Sequence, residues 1–205
     1  MASQNKSNIN NKPLVVIEGL DGVGKTSFAK RFSEKIGGVY SYSISDRLKP
    51  IRMEIDKGST STVRFFYYIT SLIDLQEQIE KTLKTQPLVL DRYIDSTIIY
   101  HQSSGVPIDY INLEKLPLRV PDIVFVLSAS DEDRKSRMID RDYRSPRDNE
   151  SLGSKGRVIA NYYLDPCECF FPSKTHLIKN ENIELALENA LNIYTHILNK
   201  HTLNT

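Results

Sequence analysis

Short apolar runs recur along the chain and are separated by stretches in which apolar residues return every three or four positions. An unbroken apolar run, without the alternation of a half-exposed strand, is typical of a strand buried on both faces of a parallel sheet. The pattern predicts five strands. They lie at 14–17, 39–44, 88–90, 123–127 and 177–178.

Between these runs the apolar residues follow helical spacing. The longest such stretch is 61–85, which contains neither proline nor glycine, so we expect one long helix there. Other helices are predicted at 25–36, 96–102, 132–141 and 183–199. This alternation of strands and helices predicts an α/β class protein with a three-layer fold, in which helices flank a parallel five-stranded sheet.

Composition fits a single domain of a globular protein. The chain has 205 residues, is 40% hydrophobic and carries a formal net charge of +1. We place the domain at 13–205, after a polar and disordered lead-in at 1–12. The small net charge gives no reason to expect polymeric nucleic acid or a membrane surface as partner, and we find no signal peptide or membrane span.

The two cysteines, Cys167 and Cys169, are separated by one residue. A disulfide across so short a span would be strained, and no set of metal-ligating residues surrounds them. We therefore expect two reduced thiols, as in a cytoplasmic protein.

The clearest chemical motif is GLDGVGKT at 19–26, which matches GxxxxGK[ST] and stands between a predicted strand and a predicted helix. Its glycines let the backbone aim N–H groups at phosphate oxygens, and the helix N-terminus favours an anion. Lys25 would bridge the β- and γ-phosphates of ATP, and the Thr26 hydroxyl would bind Mg²⁺. The residues predicted to bind the nucleotide are Gly19, Asp21, Gly22, Val23, Gly24, Lys25, Thr26 and Ser27.

A phosphate-binding loop occurs in GTPases, ATPases and kinases alike. A GTPase should carry a late N/TKxD motif that recognises guanine. Asn199-Lys200 supplies only half of such a motif, at the end of the chain and without the aspartate. We therefore exclude a GTPase.

A second motif, Asp91-Arg92-Tyr93, follows the third predicted strand. Residues just past the carboxyl end of a parallel strand line the ligand crevice. A carboxylate there can hold Mg²⁺ and an arginine can clamp phosphates with its planar fork. We expect Asp91 to position the metal and Arg92 to contact the transferring phosphate.

With these motifs the chain resembles the thymidylate kinase family of P-loop nucleoside monophosphate kinases. The resemblance runs nearly from end to end. Its carriers are the EGLDGVGKT segment at 18–26, Ser45-Asp46-Arg47, Asp91-Arg92-Tyr93 with Ser96 and Tyr100, and Pro121-Asp122.

The resemblance implies an activity and an acceptor site. The enzyme would transfer the γ-phosphate of ATP to dTMP, with ATP and Mg²⁺ as cofactors, and it would form a homodimer through the helix at 61–85. Arg47 would contact the acceptor phosphate, Asp21 the sugar 3′-hydroxyl and Phe66 the base, while Tyr100 would disfavour ribose. The substrate-binding residues are then Asp21, Arg47, Phe66, Thr70, Arg92, Ser96, Tyr100 and His101.

Charged residues are concentrated before and within a segment at about 142–150, which we predict to be an arginine-rich lid. Some family members carry a catalytic arginine in the phosphate-binding loop, where this chain has Gly22; others supply it from the lid. The resemblance therefore implies a lid arginine here. The candidates are Arg141, Arg144 and Arg147, with Arg147 the best match.

The base pocket departs from the family pattern. Family members usually carry an arginine four residues after the stacking phenylalanine, and here Thr70 follows Phe66 at that distance. In the neighbouring register, Ser71 follows Tyr67. Without that arginine we expect a weaker preference for dTMP, unless His101 or another donor compensates.

Two other functions remain open on the sequence alone. The chain could be a related kinase acting on another nucleotide or on a deoxynucleoside. It could also be a nucleotide-binding regulator that has lost turnover, although the presence of Lys25, Thr26, Asp91 and Arg92 speaks against this.

Overall fold

A computed structural model describes residues 12–139 and 154–203 and shows one parallel sheet of five strands with the order β2-β3-β1-β4-β5. The non-sequential order places the carboxyl ends of β1 and β3 side by side, with Ile17 opposite Asp91. The strands are β1 (Leu14–Gly19), β2 (Val39–Tyr42), β3 (Leu88–Asp91), β4 (Ile123–Ser128) and β5 (Thr175–Lys179).

Helices flank the sheet and account for most of the remaining described residues. They are α1 (Lys25–Lys35), α2 (Arg52–Gly58), α3 (Ser61–Asp74), α4 (Gln76–Leu83), α5 (Ile94–Gln102), α6 (Asp131–Ile139), α7 (Ser154–Leu164) and α8 (Ile183–Leu203). Short 3₁₀ turns lie at Lys49–Ile51, Ile108–Tyr110, Leu113–Lys115 and Pro172–Lys174.

The predicted α/β architecture is confirmed. Every residue of β1 and of β3 is buried, as the unbroken apolar runs indicated. Aromatic rings pack together in the core. Phe32 of α1 packs edge-on against Phe125 of β4 and Tyr194 of α8. Large apolar area removed from water in this way is the main source of stability in such a domain.

The expected single helix at 61–85 was wrong, because the structure divides it into α3 and α4 at Leu75. The cause is local. The side-chain amide of Gln76 donates to the carbonyl oxygen of Leu72 at 2.7 Å, which is the acceptor that the Gln76 backbone would use in a continuous helix. A side chain inserted in the hydrogen-bond ladder is a known origin of such breaks.

Other boundaries differ modestly. Strand β2 ends at Tyr42, two residues earlier than predicted, and β5 is longer than the predicted pair at 177–178. Helices α2 and α7 had no sequence prediction. The predicted lid at 142–150, with Arg141, Arg144 and Arg147, lies outside the described residues, as does nearly all of the lead-in at 1–12.

Both cysteines are free thiols, Cys167 exposed and Cys169 buried, as predicted. Within residues 12–139 and 154–203, no helix has the length and apolarity to cross a membrane.

Candidate active site

The phosphate-binding loop connects β1 to α1 and has the backbone that its glycines predict. Gly19, Gly22 and Gly24 all have positive φ angles, of 130°, 86° and 87°. At Gly22 a Cβ atom would lie 2.9 Å from the carbonyl oxygen of Arg134. A side chain at this position is therefore not accommodated without movement of α6.

Lys25 is folded back into the loop. Its Nζ donates to the carbonyl oxygens of Gly19, at 2.8 Å, and Leu20, at 2.5 Å, and it lies 4.0 Å from the Asp21 carboxylate. Burial and, secondly, the charge of Arg92 together lower the pKa of Lys25 from 10.5 to about 7. An anion bound in the loop would offset both effects and hold the ammonium in its charged form.

Two arginines of α6 support the loop from outside. Arg134 is buried, and its Nε donates to the carbonyl oxygen of Asp21 at 2.9 Å. Arg137 donates to the carbonyl oxygens of Val23 and Asn180, and the Asn180 amide donates to Val23 as well, at 2.7 Å. Arg137 therefore forms part of the wall of the phosphate-binding loop.

The residues predicted to hold Mg²⁺ are brought together. The Thr26 hydroxyl donates to Oδ2 of Asp91 at 2.6 Å, and the Tyr40 hydroxyl lies 3.3 Å from the same oxygen. The other oxygen, Oδ1, is buried and accepts no hydrogen bond from any residue that the structure describes. A buried carboxylate oxygen without a protein donor is unusual. It fits a divalent cation held through oxygen ligands.

Arg92 forms the centre of the acceptor side. It is the only non-glycine residue with positive φ (71°) in the described part of the chain, and its amide donates to the Ile17 carbonyl oxygen at 2.9 Å. Such a conformation costs about 1–3 kcal/mol and is concentrated at functional sites. The guanidinium is bonded to Asp21 and, at 3.1 Å, to Ser96, and it stacks over the Tyr100 ring at 5.4 Å.

Tyr100 closes this group of residues, because its hydroxyl donates to Oδ2 of Asp21 at 2.9 Å. Asp21 therefore holds both Arg92 and Tyr100, and the three side chains meet where β1 and β3 end. Ser96 lies beneath them on the first turns of α5. The structure thus assembles Asp21, Arg92, Ser96 and Tyr100, all of which the sequence predicted as acceptor-side residues.

Beneath Arg92 lies a buried carboxylate that the sequence analysis did not select. Glu18 is fully buried and accepts hydrogen bonds from the Tyr93 and Ser96 amides, the Ser96 hydroxyl and the Tyr163 hydroxyl. Four donors compensate its charge, so Glu18 ties β1 to α5 and α7. Its place in the EGLDGVGKT segment, directly before the loop, was the available signal.

A second buried acid, Asp95, joins α5 to the chain after α7. Its Oδ1 accepts from the Tyr162 hydroxyl at 2.6 Å and from the Phe170 amide at 2.7 Å. Burial, reinforced by the charge of Glu18, raises the pKa of Asp95 to about 7.

The cluster does not include four of the predicted acceptor residues, which are Arg47, Phe66, Thr70 and His101. Arg47 is 74% exposed and pairs with Asp74 at 2.9 Å. Phe66, 51% exposed, and Thr70 lie on the outer face of α3. That outcome follows from helix phase, because Phe65, Ile69 and Leu72 occupy the buried face.

His101 is neither a surface residue nor an evident base contact. It is buried, and its Nδ1 lies 2.7 Å from the Thr97 carbonyl oxygen. Its ring packs against Phe65 and Tyr68, with centroids 5.7 and 5.6 Å away. His101 therefore serves the packing of α3 against α5.

The structure shows a further polar cluster that sequence reasoning missed. Arg52 of α2 pairs with Asp56 at 3.4 Å, donates to the Tyr42 hydroxyl at 3.4 Å and lies over the Tyr42 ring. The Tyr68 hydroxyl bonds both oxygens of Asp56. The spacing of Arg52 and Asp56 by four residues was the only signal, and it is shared by many surface helices.

Comparison with known proteins agrees with this geometry. The family model for thymidylate kinase matches residues 17–186. The chain is 33% identical over 192 residues to a probable thymidylate kinase of Methanococcus maripaludis strain C7, covering 90% of this chain and 92% of the relative. It is 26% identical over 176 residues to a thymidylate kinase of Brachyspira hyodysenteriae, covering 78% and 79%.

Solved structures share the fold at low identity. A thymidylate kinase from Candida albicans has a TM-score of 0.74 at 19% identity and covers 93% of each chain. A deoxyadenosine kinase from M. mycoides has a TM-score of 0.67 at 17% identity, covering 89% of this chain and 99% of that one. The thymidylate kinase family model matches most of the chain, at residues 17–186. This protein is therefore a kinase that belongs to the thymidylate kinase family.

Proposed function

We propose that the protein transfers the γ-phosphate of ATP to dTMP, giving dTDP and ADP. The observation that carries the proposal is the junction of donor and acceptor groups where β1 and β3 end. There, Lys25 and the Thr26–Asp91 pair stand on the donor side, and Arg92 with Asp21 and Tyr100 stands on the acceptor side. Curated relatives named thymidylate kinase support dTMP as the acceptor.

The proposed step is a direct in-line displacement. An oxygen of the acceptor monophosphate forms a bond to the γ-phosphorus, and the bond from that phosphorus to the β,γ-bridging oxygen breaks, leaving the electron pair on ADP. Such a reaction requires positioning and compensation of charge more than covalent help. Lys25 would bind the β- and γ-oxygens, while Arg92 would contact the transferring group between donor and acceptor.

Mg²⁺ would be held by the Thr26 hydroxyl and by Asp91, whose unpaired Oδ1 faces no donor among the described residues. When bound, the ion compensates the negative charge of the phosphates. Arg141, Arg144 and Arg147 would add positive charge from the lid at 142–150, with Arg147 the preferred candidate, and closure of the lid would exclude water.

The same arrangement favours a phosphate acceptor over a nucleoside. Transfer to a hydroxyl requires a base that removes its proton, whereas a phosphate oxygen is already ionised. Asp21 is engaged with Arg92 and Tyr100, and Glu18 accepts four hydrogen bonds. Asp91, the remaining carboxylate beside Arg92, pairs with Thr26 and is the proposed Mg²⁺ ligand. Arg47 would bind the acceptor phosphate once it leaves Asp74, an exposed pairing of the kind that contributes little to stability.

The proposal is tested by coupled ADP release with purified protein, ATP and Mg²⁺ and a panel of acceptors. We expect dTMP to give the highest kcat/KM, with thymidine and deoxyadenosine inactive. Release of ADP with a nucleoside but with no monophosphate would replace this function with a deoxynucleoside kinase. Tight ATP binding without transfer to any acceptor would indicate the regulatory alternative.

We also propose a homodimer through α3. Val63, Phe66 and Ile73 are exposed to 47%, 51% and 37% on one face of this helix. An apolar stripe of that kind is typical of a surface covered by a partner, and the resemblance to the family implies a second copy as that partner. Light scattering should give twice the chain mass for the wild type and one chain mass for Phe66→Asp. A monomeric wild type would contradict the proposal.

We further propose that the enzyme is cytoplasmic, because both cysteines are free thiols and the substrates are small nucleotides.

A further inference from the structure

In the register that starts from Tyr67, the position at which family members carry a base-recognition arginine is Ser71, which has a structural role here. Ser71 is fully buried, and its Oγ accepts a hydrogen bond from the Ser45 amide at 2.9 Å. One turn earlier, the Tyr67 hydroxyl donates to the Leu48 carbonyl oxygen at 2.9 Å. Both side chains fasten the segment between β2 and α2 to α3. Neither is available as a charged donor for a base.

Thr70, in the other register, lies on the exposed face of α3, and His101 is held in the packing between α3 and α5. The compensating donor that the altered pocket requires must therefore come from another element. On α2, Arg52 is the cationic side chain that the structure places against Tyr42, at the end of β2.

Arg52 is held in place on several sides. Its Nε lies 3.4 Å from Oδ2 of Asp56, and its guanidinium lies 5.3 Å from the ring centroid of Tyr42. Asp56 is in turn fixed by the Tyr68 hydroxyl, at 3.0 and 3.1 Å from its two oxygens. The arginine side chain is nevertheless 39% exposed, so it remains accessible to a ligand. A guanidinium oriented by its neighbours loses little freedom when it forms a further bond.

The position of Arg52 relative to the phosphate site follows from β2. Tyr42 ends this strand opposite Asp91, the residue before Arg92, and its hydroxyl accepts a hydrogen bond from Arg52 at 3.4 Å. From α3, Tyr68 packs against His101, the neighbour of Tyr100 on α5. A nucleotide with its phosphate on Arg92 and its sugar at Tyr100 would therefore extend its base between Tyr42 and Tyr68, towards Arg52.

We propose that Arg52, positioned by Asp56 and Tyr68, recognises the acceptor base and selects a 4-keto pyrimidine. The inference rests on the proposed transfer to dTMP. Arginine has donors and no acceptor. Thymine and uracil present the O4 acceptor on the edge where cytosine presents an amino donor. Arg52 therefore pairs with thymine or uracil and leaves two donors facing each other when cytosine enters.

The size of the effect is that of one charge-assisted hydrogen bond. Its loss corresponds to about a ten- to hundredfold change in an equilibrium or rate ratio. A site built to hydrogen-bond one group of the substrate discriminates against an analogue that does not present the matching partner there. This inference replaces the expectation of weak dTMP preference by one of clear preference for dTMP and dUMP over dCMP.

The test compares kcat/KM and calorimetric Kd for dTMP, dUMP and dCMP in the wild type, Arg52→Met and Arg52→Lys. For Arg52→Met we expect a ten- to hundredfold loss with dTMP and dUMP and less than about a threefold loss with dCMP. Arg52→Lys should keep part of the preference for dTMP and dUMP over dCMP that Arg52→Met loses. Arg31→Met is the matched control, because Arg31 is exposed and pairs with Glu184 on the remote side of α1; it should change nothing.

Two outcomes would overturn the assignment. Equal losses for all three nucleotides would identify Arg52 as a phosphate-binding or structural residue, and unchanged values would show that it does not touch the acceptor. The binding arm does not require turnover, so it separates failure of this inference from failure of the transfer reaction. Tyr68→Phe is a second variant, and it leaves the charge of the site intact. It should lower the ratio of kcat/KM for dTMP to kcat/KM for dCMP by a smaller factor than Arg52→Met does, with an unchanged Kd for ATP.

Discussion

Arg92 and Asp21 form a salt bridge across the ends of β3 and β1, with the Tyr100 hydroxyl bound to the other oxygen of the same carboxylate. This contact joins the phosphate-binding loop to the acceptor side. Without Asp21, the Arg92 guanidinium could adopt other orientations towards nearby anions. Asp21 instead fixes the direction in which the guanidinium presents its donors.

Asp21→Asn should weaken catalysis through Arg92. The amide keeps one acceptor but loses the charge that orients the guanidinium, so we expect kcat to fall about tenfold or more, the scale of a charge-assisted bond. Steady-state kinetics with dTMP measures the effect. Glu184→Gln is the control, since Glu184 is 62% exposed and pairs with Arg31, which is not part of the Arg92 cluster. Equal kcat in Asp21→Asn and the wild type would show that the bridge does not position Arg92.

Lys25→Met should remove transfer while leaving the fold intact. The loss of one charged donor to the transferring phosphates is worth about 10²–10³ in kcat. The apolar stem of methionine fills the space that the lysine stem occupies. Single-turnover transfer from radiolabelled ATP gives the rate, and far-ultraviolet circular dichroism gives the fold. Lys35→Met, an exposed change on the same helix, should be silent, whereas near-normal turnover in Lys25→Met would exclude the proposed role.

Asp95→Asn should change how stability depends on pH. Burial raises the pKa of Asp95 to about 7 in the folded protein, against about 4 when unfolded. Between these values the folded state binds more protons, so the contribution of Asp95 to stability falls as the pH rises from about 4 to about 7.

Asparagine keeps an oxygen that can accept from Tyr162 and Phe170 and does not ionise. Urea unfolding at pH 5 and pH 8 should therefore show the variant gaining stability relative to the wild type at the higher pH. Asp165→Asn, an exposed position, is the comparison. A relative stability that is constant with pH would mean that Asp95 keeps an ordinary pKa.

The lid arginines should affect turnover and not stability. A triple change of Arg141, Arg144 and Arg147 to Gln removes charge that would reach the phosphates only in the closed state. We expect kcat to fall at least tenfold with little shift in Tm, because neutralising solvated charges disturbs no core. Single variants would then identify the residue, with Arg147 expected to have the largest effect. Full activity in the triple variant would assign these residues to a solvated surface.

The features of the fold and of the candidate site that depend on local chemistry could be predicted from the sequence. The glycine spacing at 19–26 determines the loop, and the apolar runs before Glu18 and Asp91 place both carboxylates at strand ends. The sheet, the Thr26–Asp91 pair and the Arg92 cluster follow from those features. Glu18 was within reach of the same reasoning, because an acid at the end of a buried strand needs donors.

What could not be predicted depends on helix phase and on long-range contacts. In α3, the aromatic run from Phe65 to Tyr68 covers nearly a full turn, so hydrophobicity alone does not tell which ring faces inward. The resemblance therefore implied that Phe66 contacts the base, whereas the structure places this side chain on the exposed face of α3. The hydrogen bond from Tyr68 to Asp56 joins α3 to α2, and no sequence spacing shows such a contact.

The most direct test of the central claim is identification of both products after incubation of the protein with ATP, Mg²⁺ and dTMP, by anion-exchange chromatography. Direct transfer from ATP to dTMP predicts ADP and dTDP in equal amounts, with neither formed by Lys25→Met. ADP without dTDP, or dTDP that persists in the Lys25→Met protein, would contradict it.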